Sequence, residues 1–354
     1  MKTRVDAEAF VRCARKVEAL GAATQGAPPT ADVLARAALL TAHLHDNFLT
    51  LCSGTEEGGG LAQGPTTAFA DADAFCGALR GVRFVPSHAA SALAGPHEGE
   101  PLLACFGELA LHQDRRLLWT VAPVLRREWA PPRELWPALG LLHPPPMESV
   151  LAHAAQLAAW APDAWPFDGA AEPLREVVGA LWAFFAERQH AASAEAMARL
   201  AQLPLVLCGA ALVKPSRVFG ACFGACQPLL QPRAAISSRP QPSDALLVAL
   251  GMGEAAALPD YLRLLRELPD EYRGARLAPS ERRAVLATLQ LAADAPGFRA
   301  DGRLALPTAD GGLAPLRSCV VDDAPWLLHR MRPGAVRLVS AVGTLLQAQL
   351  GPWP

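Results

Sequence analysis

Leu203-Pro204-Leu205-Val206-Leu207-Cys208-Gly209 is followed two residues later by Leu212-Val213-Lys214-Pro215-Ser216-Arg217-Val218-Phe219. A short apolar run, a glycine that tolerates positive φ, and an apolar return read as a small β-hairpin. Residues 193–202 read as a helix ahead of it, and the chain then reaches Ala249-Leu250-Gly251-Met252. A helix with Tyr261, Leu262, Leu264, Leu265 and Leu268 on one face comes next. The pattern is therefore helix, hairpin, irregular segment, Leu-Gly corner, helix.

The same order reads on both sides of this stretch. Upstream, a helix from Asp71 to Leu79 leads into a strand at Val82-Arg83-Phe84-Val85-Pro86. The apolar run Leu102-Leu103-Ala104-Cys105-Phe106 stops at Gly107, and Leu117-Leu118-Trp119-Thr120-Val121 follows. After Trp129-Ala130-Pro131-Pro132 and Leu139-Gly140-Leu141, Pro144-Pro145-Pro146 opens a helix carrying Val150, Leu151, Ala154, Leu157 and Ala158. Downstream, a helix over 280–293 precedes Leu304-Ala305-Leu306-Pro307-Thr308, a turn at Asp310-Gly311-Gly312, and Leu313-Ala314-Pro315-Leu316. The Leu-Gly pairs end at 140, 251 and 351, and prolines at 86, 204 and 307 are read as strand markers. Near-equal intervals for two markers in one order predict three related units.

The fold class expected is α+β, with helix-dominated repeated modules that each carry short hairpin strands. The division expected is a helical pair at 1–50, a flexible loop at 51–70, unit 1 at 71–190, unit 2 at 191–278 and a partial unit 3 at 279–354. In the helical pair, Phe10, Ala14, Val17 and Leu20 share one face, and Val33, Ala37, Leu40, Leu44 and Phe48 another. Thr30 or Asp32 is the expected cap of the second helix. Residues 161–172 and 227–243 read as proline-rich connectors.

Composition narrows the function classes. The chain has 354 residues, 51% of them hydrophobic and 19% charged, with a net charge of −2. That charge gives no electrostatic case for nucleic acid or an anionic membrane. No apolar run reaches the ~18–20 residues of a membrane span, and Met1-Lys2-Thr3-Arg4-Val5-Asp6 has no secretory character. Cysteines stand at 13, 52, 76, 105, 208, 222, 226 and 319, most among apolar neighbours, where free thiols act as small hydrophobes. A reduced, cytoplasmic chain is expected.

Several of these strings resemble sacsin and its relatives: Leu203 to Val206 with Leu212 to Val218, Leu79-Arg80-Gly81-Val82-Arg83-Phe84-Val85-Pro86, Trp129 to Pro132 with Leu139 to Glu148, and Asp322-Asp323-Ala324-Pro325-Trp326-Leu327. The resemblance extends over about residues 5–351. It implies a cytoplasmic co-chaperone scaffold built from large repeats, associated with Hsp70-type chaperones, client proteins and cytoskeletal filaments. The family's nucleotide-binding module and the His-Pro-Asp signature of a J-domain are not found in this sequence, so nothing dependent on ATP or a J-domain carries over. The end at Gly351-Pro352-Trp353-Pro354 falls where the first two units continue into a helix, and a segment of a longer protein is expected.

No residue set is assigned to catalysis, a cofactor or a metal. Cys222 and Cys226 have three residues between them, not the two of a zinc or redox motif, and no second ligand pair. His43 and His45 fall on different faces of a helix. Ser53, Ser193, Ser216 and Ser280 lack a nucleophile elbow, and Ser280 reads as a helix cap. Gly58 to Gly60 and Gly64 lack the Lys-Ser/Thr of a phosphate loop. Asp322-Asp323 is the acid pair on which an alternative reading as an enzyme rests; another alternative is a structural spacer. The tryptophans are expected to pack irregular segments, with an exposed client groove as the rival use.

Overall fold

The computed structural model describes residues 5–23, 27–53, 72–90, 99–159, 174–209, 211–221, 224–299, 301–308, 310–321 and 337–339. Its helices are α1 Ala7–Ala22, α2 Ala31–Ser53, α3 Ala72–Arg80, α4 Arg115–Leu118, α5 Trp136–Leu139, α6 Met147–Ala158, α7 Leu174–Arg188, α8 Ala194–Gln202, α9 Asp244–Ala249, α10 Leu258–Tyr272 and α11 Pro279–Asp294. Its strands are β1 Val85–His88, β2 Pro101–Ala104, β3 Val206–Cys208, β4 Ala211–Val213, β5 Val218–Ala221, β6 Gln231–Pro232, β7 Gly253–Ala255, β8 Ala305–Pro307, β9 Leu313–Pro315, β10 Cys319–Val321 and β11 Arg337–Val339. Helices dominate and the sheets have two or three short strands, so the fold is α+β as the sequence predicts.

Local chemistry explains the helix starts. Asp6 accepts a bond from the Ala9 amide at 2.7 Å and caps α1. Thr30 rather than Asp32 caps α2, through the Val33 amide at 3.4 Å, while Asp32 pairs with Arg36 one turn on. Ser193 caps α8 and Ser243 caps α9. Ser280 is not a cap: α11 begins at Pro279, and Glu281 reaches back to the Ala278 amide at 2.7 Å. With proline at the first helical position, the amide left to satisfy lies outside Ser280's short reach.

One succession of elements occurs three times. α3, α8 and α11 each precede an antiparallel hairpin: β1 with β2, β3 with β4, and β8 with β9. The registers align without a gap, since Val85 faces Ala104, Val206 faces Val213 and Leu306 faces Ala314. A single 3-10 turn follows at Phe106–Glu108, Pro215–Arg217 and Leu316–Ser318, its first residue buried each time. The amides of Leu109, Val218 and Cys319 close these turns onto the carbonyls of Phe106, Pro215 and Leu316. The next residues enter a parallel pairing: Ala110 bridges Val124, β5 pairs with β6 and β7, and β10 pairs with β11.

Two Leu-Gly corners are alike in detail. Gly140 (φ 72°) ends α5 and Gly251 (φ 106°) follows α9. The Leu141 amide reaches back to the Trp136 carbonyl at 3.1 Å, and the Met252 amide to that of Leu247 at 2.8 Å. This is the Schellman stop, which needs a residue that accepts positive φ. Gly351 lies outside the described residues.

Three details differ from the sequence reading. The first strand starts at Val85 and not at Val82, because the Val82 amide closes the end of α3 on Leu79 and the Arg83 amide is held by Glu18. The segment Leu117–Val121 is the end of α4 and its turn, with Trp119 and Val121 bonded back to Arg115 and Leu118. Pro86 and Pro307 occupy one register position, opposite Leu103 and Leu313, whereas Leu207 holds that position in β3 and Pro204 precedes the strand.

The chain divides into two compact units, Met1–Leu205 with Ser238–Pro242, and Val206–Ser237 with Ser243–Pro354. In the first, α1 and α2 share one apolar cluster with α3 and the β1–β2 hairpin. Phe10 stands edge-on to Phe75 and Phe84 at 6.2 and 5.9 Å, and Phe48 edge-on to Phe75 at 6.2 Å. The second unit has its own cluster, centred on Leu264, Leu265 and Leu268 of α10, Val285 and Leu289 of α11, and Leu306 and Leu316.

Candidate functional site

The first unit gathers three sets of reactive side chains. Asp114 closes a 3-10 turn, and His143 follows the Leu139-Gly140-Leu141 corner. The Leu142 amide bonds to the Leu109 carbonyl at 3.0 Å, which brings the His143 Nδ1 to 2.6 Å from the Asp114 Oδ2. Burial pushes the Asp114 carboxyl above the usual carboxylate range, against the opposing effects of His143 and Arg188. The Trp136 ring stands edge-on to His143 at 4.9 Å. A carboxylate-oriented imidazole is half of a general-base relay. Among the described residues no hydroxyl or thiol hydrogen-bonds to the His143 ring, and the pair acts as a clamp between turn and corner.

His153 on α6 is fully buried. Its Nε2 lies 3.1 Å from the Arg116 carbonyl, and its Nδ1 lies 2.6 Å from the Thr120 hydroxyl. A carbonyl only accepts, so Nε2 carries the hydrogen and Nδ1 accepts from Thr120. Burial holds the ring neutral, with its pKa pushed down to about 3. Trp119 packs edge-on against it at 4.4 Å. This is a satisfied core histidine.

The third set is a thiol pair. Cys52 sits in the last turns of α2, half-buried, and Cys76 sits within α3, fully buried. The two thiols act on each other's titration: Cys76 lowers the Cys52 thiol pKa, and Cys52 together with burial raises that of Cys76. Neither thiol is in a disulfide, nor is any other described cysteine.

A cleft of about 650 Å³ opens between the end of α1 and the first hairpin, lined by Glu18, Pro28, Arg83, Glu100, Leu102 and Leu103 among others. Two of its charges are already engaged: Glu18 takes the Arg83 amide, and the Arg83 guanidinium pairs with Glu108. Among the described residues the lining contains no nucleophile beside a base.

The residues singled out in the sequence stay apart. His43 is half-buried, in contact with Asn47 at 3.3 Å and stacked on Phe10 at 6.3 Å, whereas His45 is exposed. Ser193 is a helix cap, and Ser216 lies in a 3-10 turn where its carbonyl accepts from Arg263. Ser53 is the last residue of α2. Cys226 is buried and within hydrogen-bonding reach of Thr288. Cys222, Gly58 to Gly60, Gly64 and Asp322-Asp323 lie outside the described residues. Among the described residues no group of three or more His, Cys, Asp or Glu is placed to hold a metal ion, and no helix is long and apolar enough to cross a membrane.

Trp119 and Trp182 are interior side chains, while Trp129 and Trp136 are half-buried beneath Arg126 and Arg133 at 5.0 and 5.9 Å. The Asp114–His143 and Cys52–Cys76 pairs had no signal in the sequence, because each joins residues on separate elements. Comparison of the chain with family models, with curated proteins and with solved structures finds no match.

Proposed function

We propose that the chain is a non-catalytic scaffold segment of a sacsin-like co-chaperone, acting in protein folding and quality control by binding an Hsp70-type chaperone, a client or a cytoskeletal filament in the cytoplasm. The observation that carries the reading is the threefold helix, hairpin, 3-10 turn and parallel-pairing succession with one common register. Two of the strings that resemble the family border these hairpins: Arg83-Phe84-Val85-Pro86 enters the first, and Leu212 to Val218 leaves the second. The buried reactive groups also favour it, since Asp114, His143 and His153 are each tied to a structural partner. Apolar residues exposed on α2, Leu39 and Leu49, are two positions through which a partner could be held.

The test is a binding assay on the purified chain with an Hsp70-type chaperone, an unfolded client and an intermediate-filament protein. Retention of one of these above the level of a Leu39→Glu/Leu49→Glu variant is expected. Equal retention of none of the three by both proteins would sink the proposal.

A further inference from the structure

We propose that Cys52 and Cys76 form a peroxide-responsive thiol pair, which oxidation converts into a disulfide joining α2 to α3. The two helices are packed at this point, because Phe48, one turn before Cys52, stands edge-on to Phe75, the neighbour of Cys76. Cys76 belongs to the apolar cluster and Cys52 packs against it, one turn and one residue away from that ring contact, and each thiol shifts the titration of the other. Their exposures divide the labour. Cys52 is half-buried and reachable by a small oxidant, whereas Cys76 has no exposed surface. The neighbouring Cys76 thiol also favours the thiolate of Cys52. A lowered, accessible thiol beside a buried one is the arrangement of an attacking and a resolving cysteine.

The chemistry balances with hydrogen peroxide as the two-electron oxidant. The Cys52 thiolate attacks one peroxide oxygen, the O–O bond breaks, and the departing hydroxide takes up a proton to leave as water. Cys52 is then a sulfenic acid. The Cys76 sulfur attacks the Cys52 sulfur, the S–O bond breaks, and the hydroxyl leaves as a second water with the Cys76 proton. A dithiol restores both thiols by exchange. The other described cysteines give a built-in comparison: Cys13 is exposed, and Cys105, Cys208, Cys226 and Cys319 are buried.

The experiment treats the full chain with substoichiometric hydrogen peroxide, alkylates the remaining thiols and maps them by mass spectrometry. Loss of two hydrogens for each peroxide consumed is expected, with a cross-linked peptide containing Cys52 and Cys76 that dithiothreitol separates. Cys52 should be consumed at least ~10-fold faster than Cys13, as its thiolate character implies. In Cys76→Ala, Cys52 should be captured as a sulfenic acid by dimedone; in Cys52→Ala, Cys76 should stay reduced. If the wild-type chain keeps both thiols while Cys13 oxidises, or links Cys52 to any other cysteine, the assignment is overturned. The wild-type map decides the matter even where a variant does not fold.

Discussion

At the scale of single residues, burial sets the behaviour of the polar groups. His153 has its two ring nitrogens matched to one donor and one acceptor, which only the neutral ring allows. Its folded pKa of about 3 lies below that of an unfolded histidine, so acidification favours the unfolded chain. The stabilising contribution is complete above pH ~6.5 and is lost as pH falls towards the folded value, at about 1.4 kcal/mol per pH unit. Urea denaturation at a series of pH values should show that slope in the wild-type chain, and His153→Gln should be flatter by about that amount between pH ~4 and 6. A glutamine can keep both bonds through its amide, which separates the loss of titration from the loss of fold. An unchanged slope would mean that the ring titrates normally.

At the scale of elements, the stops and starts carry the testable consequences. Gly140→Ala is expected to cost about 1–2 kcal/mol, because an alanine is strained at φ 72°. A Cβ there would also displace the Arg80 side chain, which is flexible enough to move. Gly179 is a different case: on α7 its Cβ would run into the Arg239 carbonyl, which is backbone and cannot swing aside. Gly179→Ala should therefore lose about 2–3 kcal/mol, measured as a fall in urea midpoint, and more than Gly140→Ala. For α11, Glu281→Ala should cost about 1 kcal/mol, since the Ala278 amide and the Tyr272 hydroxyl both bond to that carboxylate. Ser280→Ala should stay within ~0.5 kcal/mol. The reverse ranking of these two substitutions would restore Ser280 as the cap.

The helices were legible at this scale because the 3.6-residue period survives any tertiary setting, as Phe10, Ala14 and Val17 on α1 show. The hairpin turns at Gly209 and Gly311 were legible because both adopt positive φ. The first strand was not. Val82 to Phe84 has the alternation of a strand, yet its amides bond to Leu79 and to Glu18 of α1, so the ladder starts later. Pro204 misled for a related reason, since a proline beside a strand and one within it look alike in a one-dimensional pattern.

At the scale of the whole molecule, two compact units each have their own apolar cluster. The proposed Cys52–Cys76 bond belongs to the first alone and closes a ring of ~25 residues, worth about 3 kcal/mol on chain-entropy grounds. Peroxide treatment should thus slow hydrogen exchange in Ala31–Ser53 and Ala72–Arg80 and leave that in Leu258–Tyr272 unchanged; equal slowing in both places would point to a general effect of the oxidant.

The sequence by itself determined what depends on neighbours along the chain: which segments are helical, and where glycine permits a turn or a helix stop. Periodicity and φ preference act within a few residues, and so they can be read without coordinates. Tertiary structure alone decided which side chains meet. Asp114 finds His143 through a 3-10 turn and a helix stop, and Cys52 finds Cys76 through the packing of two phenylalanines. These contacts arise because burial of apolar faces fixes the angle and offset between elements, and no spacing in the chain encodes that geometry.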